Sequence, residues 1–424
     1  MTRVATIRQC AVLVGGLATR LGALAAVTPK PLLPVGGRPF LAWLLRELSR
    51  FGVDEALLLA GDRGDQLRAA LPELQRHLPR SLRLAVLDEA LPAGTGGALV
   101  QARGRLDEHF LLCNGDSWLD ANLAALLAAA AADSPEVLAR LWLRQTDDPG
   151  RYGVATLDGD RIAAFAERPE PDAPPGAVNA GVAVLARAAL DGLDPVCSLE
   201  GNLWPALARA GVLRGTVVAG WFVDIGVPAD LARAQAELPA QLLRRPALLL
   251  DRDGVLNLDH GYVGSRERFD WVPRAPAAVR LASERGWHVF VVTNQSGVAR
   301  GFYDIAAVEA LHRWMADALR AAGGTVDDWR VCPFHPEASV PAYRRVSDWR
   351  KPAPGMALDL MRRWQLDPAR CVLVGDQASD LAAAAAAGIA GRLFDGGDFL
   401  ALVDRLTGDV ATAGAPSGLE TKEA

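Results

Sequence analysis

The sequence predicts an α/β protein built as two three-layer domains in series. Three observations predict it. Short apolar runs alternate with stretches of helical spacing in both halves, a pattern that packs as a mostly parallel sheet covered on both faces. A break from Leu238-Pro239 to Arg245 separates the two series. Each series also carries its own glycine- or carboxylate-bearing motif directly after its first apolar run.

In the first series, Ala11–Val14 reads as a buried strand leading into a glycine loop. Pro39–Arg50 reads as a helix with Leu41, Leu44, Leu45 and Leu48 on one face. Glu55–Ala60, Arg83–Leu87 and Phe110–Cys113 read as further strands, the last ending in Asn114-Gly115-Asp116. From Glu136 to Val184 the strands shorten and alternate, with turns at Asp158-Gly159 and Pro174-Pro175-Gly176, which reads as an antiparallel lid beside the parallel sheet. The second series offers strands Ala247–Leu250, Val289–Val292 and Val372–Val374 and helices Ile305–Ala321 and Ala378–Ala387. The alanine runs Ala124–Ala132 and Ala382–Ala387 are strong helix formers. The domains are placed at 1–238 and 246–408, with a linker at 239–245 and a frayed tail at 409–424.

A chain of 424 residues, 50% hydrophobic and 22% charged, buries a core in each domain and is not disordered. The net charge of -5 leaves no basic excess for nucleic acid. Five scattered cysteines (Cys10, Cys113, Cys197, Cys332, Cys371) fit a reducing compartment and not a disulfide framework. The apolar run Cys10–Val14 is too short for a signal peptide, and no segment reaches the roughly 20 apolar residues of a membrane span. A cytoplasmic protein without membrane insertion is expected; a homo-oligomer is compatible with the sequence.

The first motif is Gly15-Gly16-Leu17-Ala18-Thr19-Arg20-Leu21 followed by Thr28-Pro29-Lys30-Pro31-Leu32. A glycine loop leaving a strand lets backbone N–H groups approach phosphates, and Arg20 and Lys30 add positive charge there. With Pro34-Val35-Gly36-Gly37-Arg38-Pro39, Gly94-Thr95-Gly96-Gly97-Ala98, Asn114-Gly115-Asp116, Arg151-Tyr152-Gly153-Val154, Glu167-Arg168-Pro169 and Phe222-Val223-Asp224-Ile225-Gly226, residues 9–237 resemble the sugar-phosphate nucleotidyltransferases. The resemblance implies a Rossmann-like domain with Gly15, Gly16, Thr19 and Arg20 at the nucleotide's phosphates and Lys30 on the α-phosphate under attack. It places Gly94, Thr95 and Gly96 along the nucleotide and Mg²⁺ on Asp116 and Asp224. Gly153, Glu167, Arg168 and Asn179 then line the sugar-phosphate pocket, Arg168 standing where the family often has lysine. A sugar 1-phosphate oxygen would attack the α-phosphorus and expel pyrophosphate, which asks for positioning and charge rather than a covalent nucleophile. Within the family the first half looks most like the D-glycero-α-D-manno-heptose 1-phosphate guanylyltransferases, which implies GTP as the NTP; no single residue separates guanine from adenine.

The second motif is Asp251-Arg252-Asp253-Gly254-Val255-Leu256-Asn257. Two carboxylates at the end of a buried strand are costly unless a cation neutralises them. Val292-Thr293-Asn294, Arg350-Lys351-Pro352 and Gly375-Asp376-Gln377-Ala378-Ser379-Asp380 follow in the order of the haloacid dehalogenase superfamily, which residues 246–396 resemble. The resemblance implies a second Rossmann-like domain in which Asp251 attacks phosphorus and Asp253 is general acid and base. Thr293 and Lys351 would hold the phosphoryl group. Mg²⁺ would sit on Asp251, the Asp253 carbonyl and Asp376, with Asp380 in support, and Asn294, Arg300 and Arg350 would contact the sugar phosphate. Asp259-His260-Gly261-Tyr262-Val263, Thr293 to Gly301 and Cys332-Pro333-Phe334-His335-Pro336 narrow the likeness to the D-glycero-D-manno-heptose 1,7-bisphosphate 7-phosphatases, with much shared by histidinol-phosphate phosphatases. Those phosphatases commonly hold a structural zinc through Cys-x-His and Cys-x-Cys pairs. Here Cys332 is kept, but Phe334, Ser347 and Trp349 occupy the other ligand positions and His335 is one residue out of step, so no zinc is expected.

Read together, the two resemblances imply that one half would remove the 7-phosphate from a heptose bisphosphate and the other would couple the resulting heptose 1-phosphate to a nucleotide. The alternatives are a hexose 1-phosphate nucleotidyltransferase fused to another sugar-phosphate phosphatase, or one half acting as a sensor without turnover.

Overall fold

The computed structural model describes residues 7–16, 19–22, 28–78, 82–89, 92–167 and 174–411. The chain divides into two compact units, Met1–Leu242 and Leu243–Ala424. Among the described residues the sheet of the first unit has nine strands, in the order Arg83–Leu87, Glu55–Leu59, Gln9–Leu13, His109–Asn114, Gly176–Ala186, Ala139–Thr146, Leu213–Val217, Arg161–Ala166, Val154–Asp158. The first four run parallel, and Gly176–Ala186 is antiparallel to both neighbours. Cys10 and Val12 are buried in one layer and Ala11 in the other, so the strand reads as an unbroken apolar run because both its faces are covered.

The antiparallel strands expected as a separate lid belong to this same sheet. The reason is the length of Gly176–Ala186: its later residues pair with His109–Asn114 on one side, residues at both its ends pair with Ala139–Thr146 on the other, and Ala177 and Val178 also pair with Val154–Asp158. A register shift against Ala139–Thr146 falls between Asn179 and Ala183, where Gly181 sits at φ +77°.

The expected linker at 239–245 is also corrected. Helix Pro228–Leu243 runs through Pro239, and buried Leu231, Ala234, Leu238 and Leu242 keep its apolar face continuous. The Pro239 ring packs on Gly36, where a Cβ would lie 2.4 Å from it. Packing thus offsets the N–H that proline cannot donate.

The second unit has a five-stranded parallel sheet among the described residues, ordered Asp328–Cys332, His288–Asn294, Ala247–Leu250, Cys371–Gly375, Ala390–Leu393. Leu248 and Leu250 face one core layer, Ala247 and Leu249 the other. Helix Phe399–Ala411 takes in the start of the expected tail, and residues 412–424 lie outside the described residues.

Candidate active sites

In the first unit the site forms at the carboxyl ends of the parallel strands. Asp116 follows His109–Asn114, and Asp224 ends Phe222–Asp224, which pairs antiparallel with Ser117–Leu119. Lys30, on the turn Lys30–Leu32, is buried with its Nζ in contact with Asp116 and 3.6 Å from Asp224. Burial raises the pKa of Asp224 and the Asp116 charge adds to it, against the pull of Lys30. Two facing carboxylates that repel each other suit a divalent cation between them. Gly226 shows how tightly the groups converge. Its N–H donates to Asp224 Oδ1 at 2.7 Å. A Cβ there would lie 2.6 Å from that oxygen, 3.1 Å from Lys30 Nζ and 3.7 Å from the Arg20 guanidinium. Thr19 opens the short turn Thr19–Leu21 that carries Arg20. Gly15 abuts the Gly61 backbone, whose nitrogen a Cβ would approach to 2.9 Å, whereas Gly16 faces open space.

The second glycine motif opens helix Gly94–Ala102. The N–H groups of Gly96 and Gly97 donate to the Cys197 carbonyl at 3.0 and 3.1 Å, and Thr95 Oγ1 accepts from the Leu199 N–H at 2.9 Å. The small residues at 94, 96 and 97 therefore admit the 195–199 segment, since added Cβ atoms would meet Cys197 or Pro195 at 2.4–2.6 Å.

A cavity of ≈ 220 Å³ beside this segment is lined by Thr95, Asn114, Glu167, Asn179, Glu200 and Trp204, among others. Asn179 Nδ2 donates to Glu200 Oε1 at 3.1 Å. Burial raises the Glu200 pKa, Asn179 opposes this, and the charges of Glu167 and Asp224 add to it. Gly153 backs the same wall: a Cβ would meet the Phe165 ring at 2.5 Å and Glu200 at 3.3 Å. Arg168 lies outside the described residues. Glu200 is the residue that sequence reading missed. Its signal was an acid in the otherwise uncharged run Leu199-Glu200-Gly201-Asn202-Leu203-Trp204.

In the second unit Asp251 follows the central strand, its N–H donating to the Val374 carbonyl at 2.9 Å. Lys351 Nζ lies 2.7 Å from Asp251 and 2.6 Å from Asp380, with side chains 3%, 12% and 0% exposed. Burial pushes the Asp251 carboxyl up to about 6 against the pull of Lys351. Burial also works against the Lys351 charge, but the carboxylates outweigh it and its pKa rises. Oxygens of Asp251, Asp376 and Asp380 lie within 4.8 Å of one another, a donor set suited to a hard divalent cation. Asp380 also accepts from the Gln377 N–H at 3.0 Å, closing a capping box at helix Ala378–Ala386.

Asn294 clasps the Lys351 peptide: its Oδ1 accepts from the N–H and its Nδ2 donates to the carbonyl, both at 3.1 Å. This pairing orients the Lys351 peptide and leaves one Nδ2 hydrogen of Asn294 for a further acceptor. Thr293 is buried, its Oγ1 accepting from Gln295 Nε2 at 2.8 Å. Arg300 is exposed over the Tyr262 ring at 5.8 Å, and Arg350 Nη1 donates to the Phe334 carbonyl at 3.4 Å.

Around Asp253 a network appears that sequence reading did not single out. Arg252 Nη2 lies 2.9 Å from both Asp253 oxygens. Asn257 Nδ2 donates to Oδ1 at 2.9 Å and Gln295 Nε2 to Oδ2 at 2.8 Å.

At the positions expected of a zinc loop, the Arg345 guanidinium stacks 3.6 Å over the Phe334 ring, and Tyr343 lies 6.1 Å from that ring. Phe334 and Trp349 pack against the core that holds Cys332. Ser347 Oγ accepts from the Trp349 N–H at 3.2 Å, and burial pushes the Cys332 thiol up.

A family model described as nucleotidyl transferase matches residues 10–241, and one described as HAD-hydrolase-like matches 348–413. The D-glycero-β-D-manno-heptose-1,7-bisphosphate 7-phosphatase of Rhodopseudomonas palustris is 51% identical over 161 residues, 38% of this chain and 89% of that protein. Its counterpart in Escherichia coli K12 is 42% identical over 144 residues, 34% of this chain and 75% of that one. Among solved structures, HddC from Yersinia pseudotuberculosis, complexed with GMP-PN, is 25% identical with a TM-score of 0.47, covering 55% of this chain and all of that one. Among the described residues no helix is long and apolar enough to cross a membrane.

Proposed function

Because the chain belongs to the nucleotidyl transferase family over its first half and to the heptose bisphosphate 7-phosphatase family over its second, we propose that it is a bifunctional enzyme of nucleotide-activated heptose synthesis. The second half hydrolyses the 7-phosphate of D-glycero-D-manno-heptose 1,7-bisphosphate. The first half transfers a nucleotidyl group, GMP from GTP by its resemblance, to the heptose 1-phosphate left behind. The observation that carries this reading is the buried Asp251–Lys351–Asp380 cluster, in a segment 51% identical to a heptose bisphosphate phosphatase.

In the phosphatase, Lys351 keeps the Asp251 carboxylate ionised despite its burial and offers its ammonium to the incoming phosphoryl group. Asp251 attacks phosphorus, Asp253 gives a proton to the leaving sugar oxygen, and Asp253 then takes one from the water that releases phosphate. Thr293 would hold the phosphoryl oxygens, and Arg300 and Arg350 stand as contacts for the rest of the substrate. In the transferase, Arg20 and Lys30 hold the triphosphate, while Asn179 and Glu200 accept or donate at sugar hydroxyls and Gly153 keeps that wall thin.

Mg²⁺ would be held by Asp116 and Asp224 in one site and by Asp251 and Asp376, with Asp380, in the other; when bound it neutralises phosphate charge. Zinc has no place in this reading. The enzyme works in the cytoplasm on NTP and heptose phosphates, with its functional division following the compact units near residue 242.

Nucleotidyl transfer leaves the bond between C1 and its phosphate oxygen intact, so the anomer of the bisphosphate is the anomer of the product. The curated relatives are named for the β anomer, whereas the resemblance of the first half is to enzymes of the α anomer. The deciding experiment supplies each anomer with Mg²⁺ and each of the four NTPs and identifies products by mass spectrometry. GDP-heptose with phosphate and pyrophosphate supports the proposal. Heptose 1-phosphate alone refutes the transferase half, and no product from either anomer refutes the heptose assignment.

A further inference from the structure

Arg252 is 0% exposed, a guanidinium wholly inside the second unit. A buried charge persists only where its donors are matched. Here they reach both oxygens of Asp253, the Val263 carbonyl at 2.5 Å, Gln295 Oε1 at 3.1 Å and His312 Nε2 at 3.3 Å. Burial and the Arg252 charge hold the His312 imidazole well below its ordinary pKa, so its nitrogen is free to accept. The Gln295 amide has four partners: its Nε2 donates to Asp253 and to Thr293 Oγ1, and its Oε1 accepts from Arg252 and from the Tyr303 hydroxyl at 2.9 Å. One side chain thus sets the acid–base carboxylate relative to the hydroxyl assigned to the phosphoryl group.

A purely structural cluster of this kind has little to recommend it, because apolar residues of similar volume would serve stability as well. We propose that Arg252, together with Gln295, is a positioning residue for the acid–base step. It fixes the direction of the Asp253 carboxylate and ties it to the Val263 end of the 259–264 loop. The inference rests on the phosphatase reading above.

The step it serves can be isolated. When Asp251 Oδ bonds to phosphorus, the bond from phosphorus to the sugar oxygen breaks, and that oxygen needs the Asp253 proton. A nitrophenolate leaves without one. Since kcat/KM reports only events up to formation of the phosphoenzyme, a misdirected Asp253 penalises sugar phosphates and spares aryl phosphates.

In the 424-residue chain, Arg252→Met should lower kcat/KM for heptose 1,7-bisphosphate by about 100-fold or more, the share general acid catalysis commonly supplies. The same variant should lose less than about 5-fold with p-nitrophenyl phosphate. Equal losses on both substrates would overturn the proposal, since a merely structural arginine damages both alike. Should Arg252→Met not fold, Gln295→Leu carries the same comparison with a split of about 10-fold, and equal losses there are again fatal. Wild-type turnover of p-nitrophenyl phosphate tests the phosphatase reading separately, and any alkyl phosphate that the wild type hydrolyses can stand in for the bisphosphate.

Discussion

Both sites set one lysine between two aspartates, yet they differ in how much water they admit. Around Lys30 the aspartates are 28% and 19% exposed, whereas around Lys351 they are 12% and 0% exposed. The contrast follows from the chemistry. On the proposed mechanism Asp251 must bond to phosphorus, so it has to be fixed and charge-balanced before substrate arrives; its cluster is accordingly closed, with Asn294 on the Lys351 peptide and the Gln377 N–H on Asp380. Transfer between two bound substrates needs no protein nucleophile, so that cluster stays open for ligands that bring their own charge.

The sharpest way to break this comparison is Asp251→Asn. Phosphate release should fall by at least about 10³-fold, as for loss of other covalent nucleophiles, while nucleotidyl transfer to supplied heptose 1-phosphate is unchanged. Loss of both activities would show that the sites are not independent. Next is the cost of an orphaned charge. Lys351→Met leaves two buried carboxylates facing each other and should destabilise the second unit by about 3–5 kcal/mol. Lys30→Met, whose partners are less deeply buried, should cost less, about 1–3 kcal/mol. Denaturant melts that ranked the two the other way would refute the reading of closed and open clusters. In turnover, Lys30→Met should slow nucleotidyl transfer by about 10²-fold and leave phosphate release intact. The smallest effect belongs to the sugar wall: Glu200→Gln should raise KM for heptose 1-phosphate by about 10-fold with little change in KM for NTP. An equal change in both would move Glu200 out of the sugar pocket.

What was legible in the sequence divides along the same physical lines. Strands buried on both faces, such as Ala247–Leu250, announce themselves as apolar runs. Strand Asp328–Cys332 does not, because Arg330 sits within it, paired to Asp328 and Asp359. The edge strand Ala390–Leu393, largely open to solvent, carries no apolar pattern at all. The paired aspartates were visible as motifs because their chemistry fixes their spacing along the chain. Glu200 and Gln295 were not, because each acts on a residue distant in sequence, Asn179 and Asp253. Pro239 misled for a related reason: a helix breaker is judged locally, whereas the packing on Gly36 that rescues it is not local.

The Arg345–Phe334 stack has a consequence for supply. A loop tied by a metal is only as abundant as the metal, and a cell short of zinc must ration its phosphatase along with every other zinc protein. On the proposed zinc-free reading, the tie would instead be the Arg345–Phe334 stack, made of carbon and nitrogen that arrive with translation. Phosphate release by protein grown in zinc-depleted medium should therefore match that of protein grown in replete medium. Heptose activation would then be capped by the cell's magnesium, which is seldom scarce, and not by the trace metal for which cells compete.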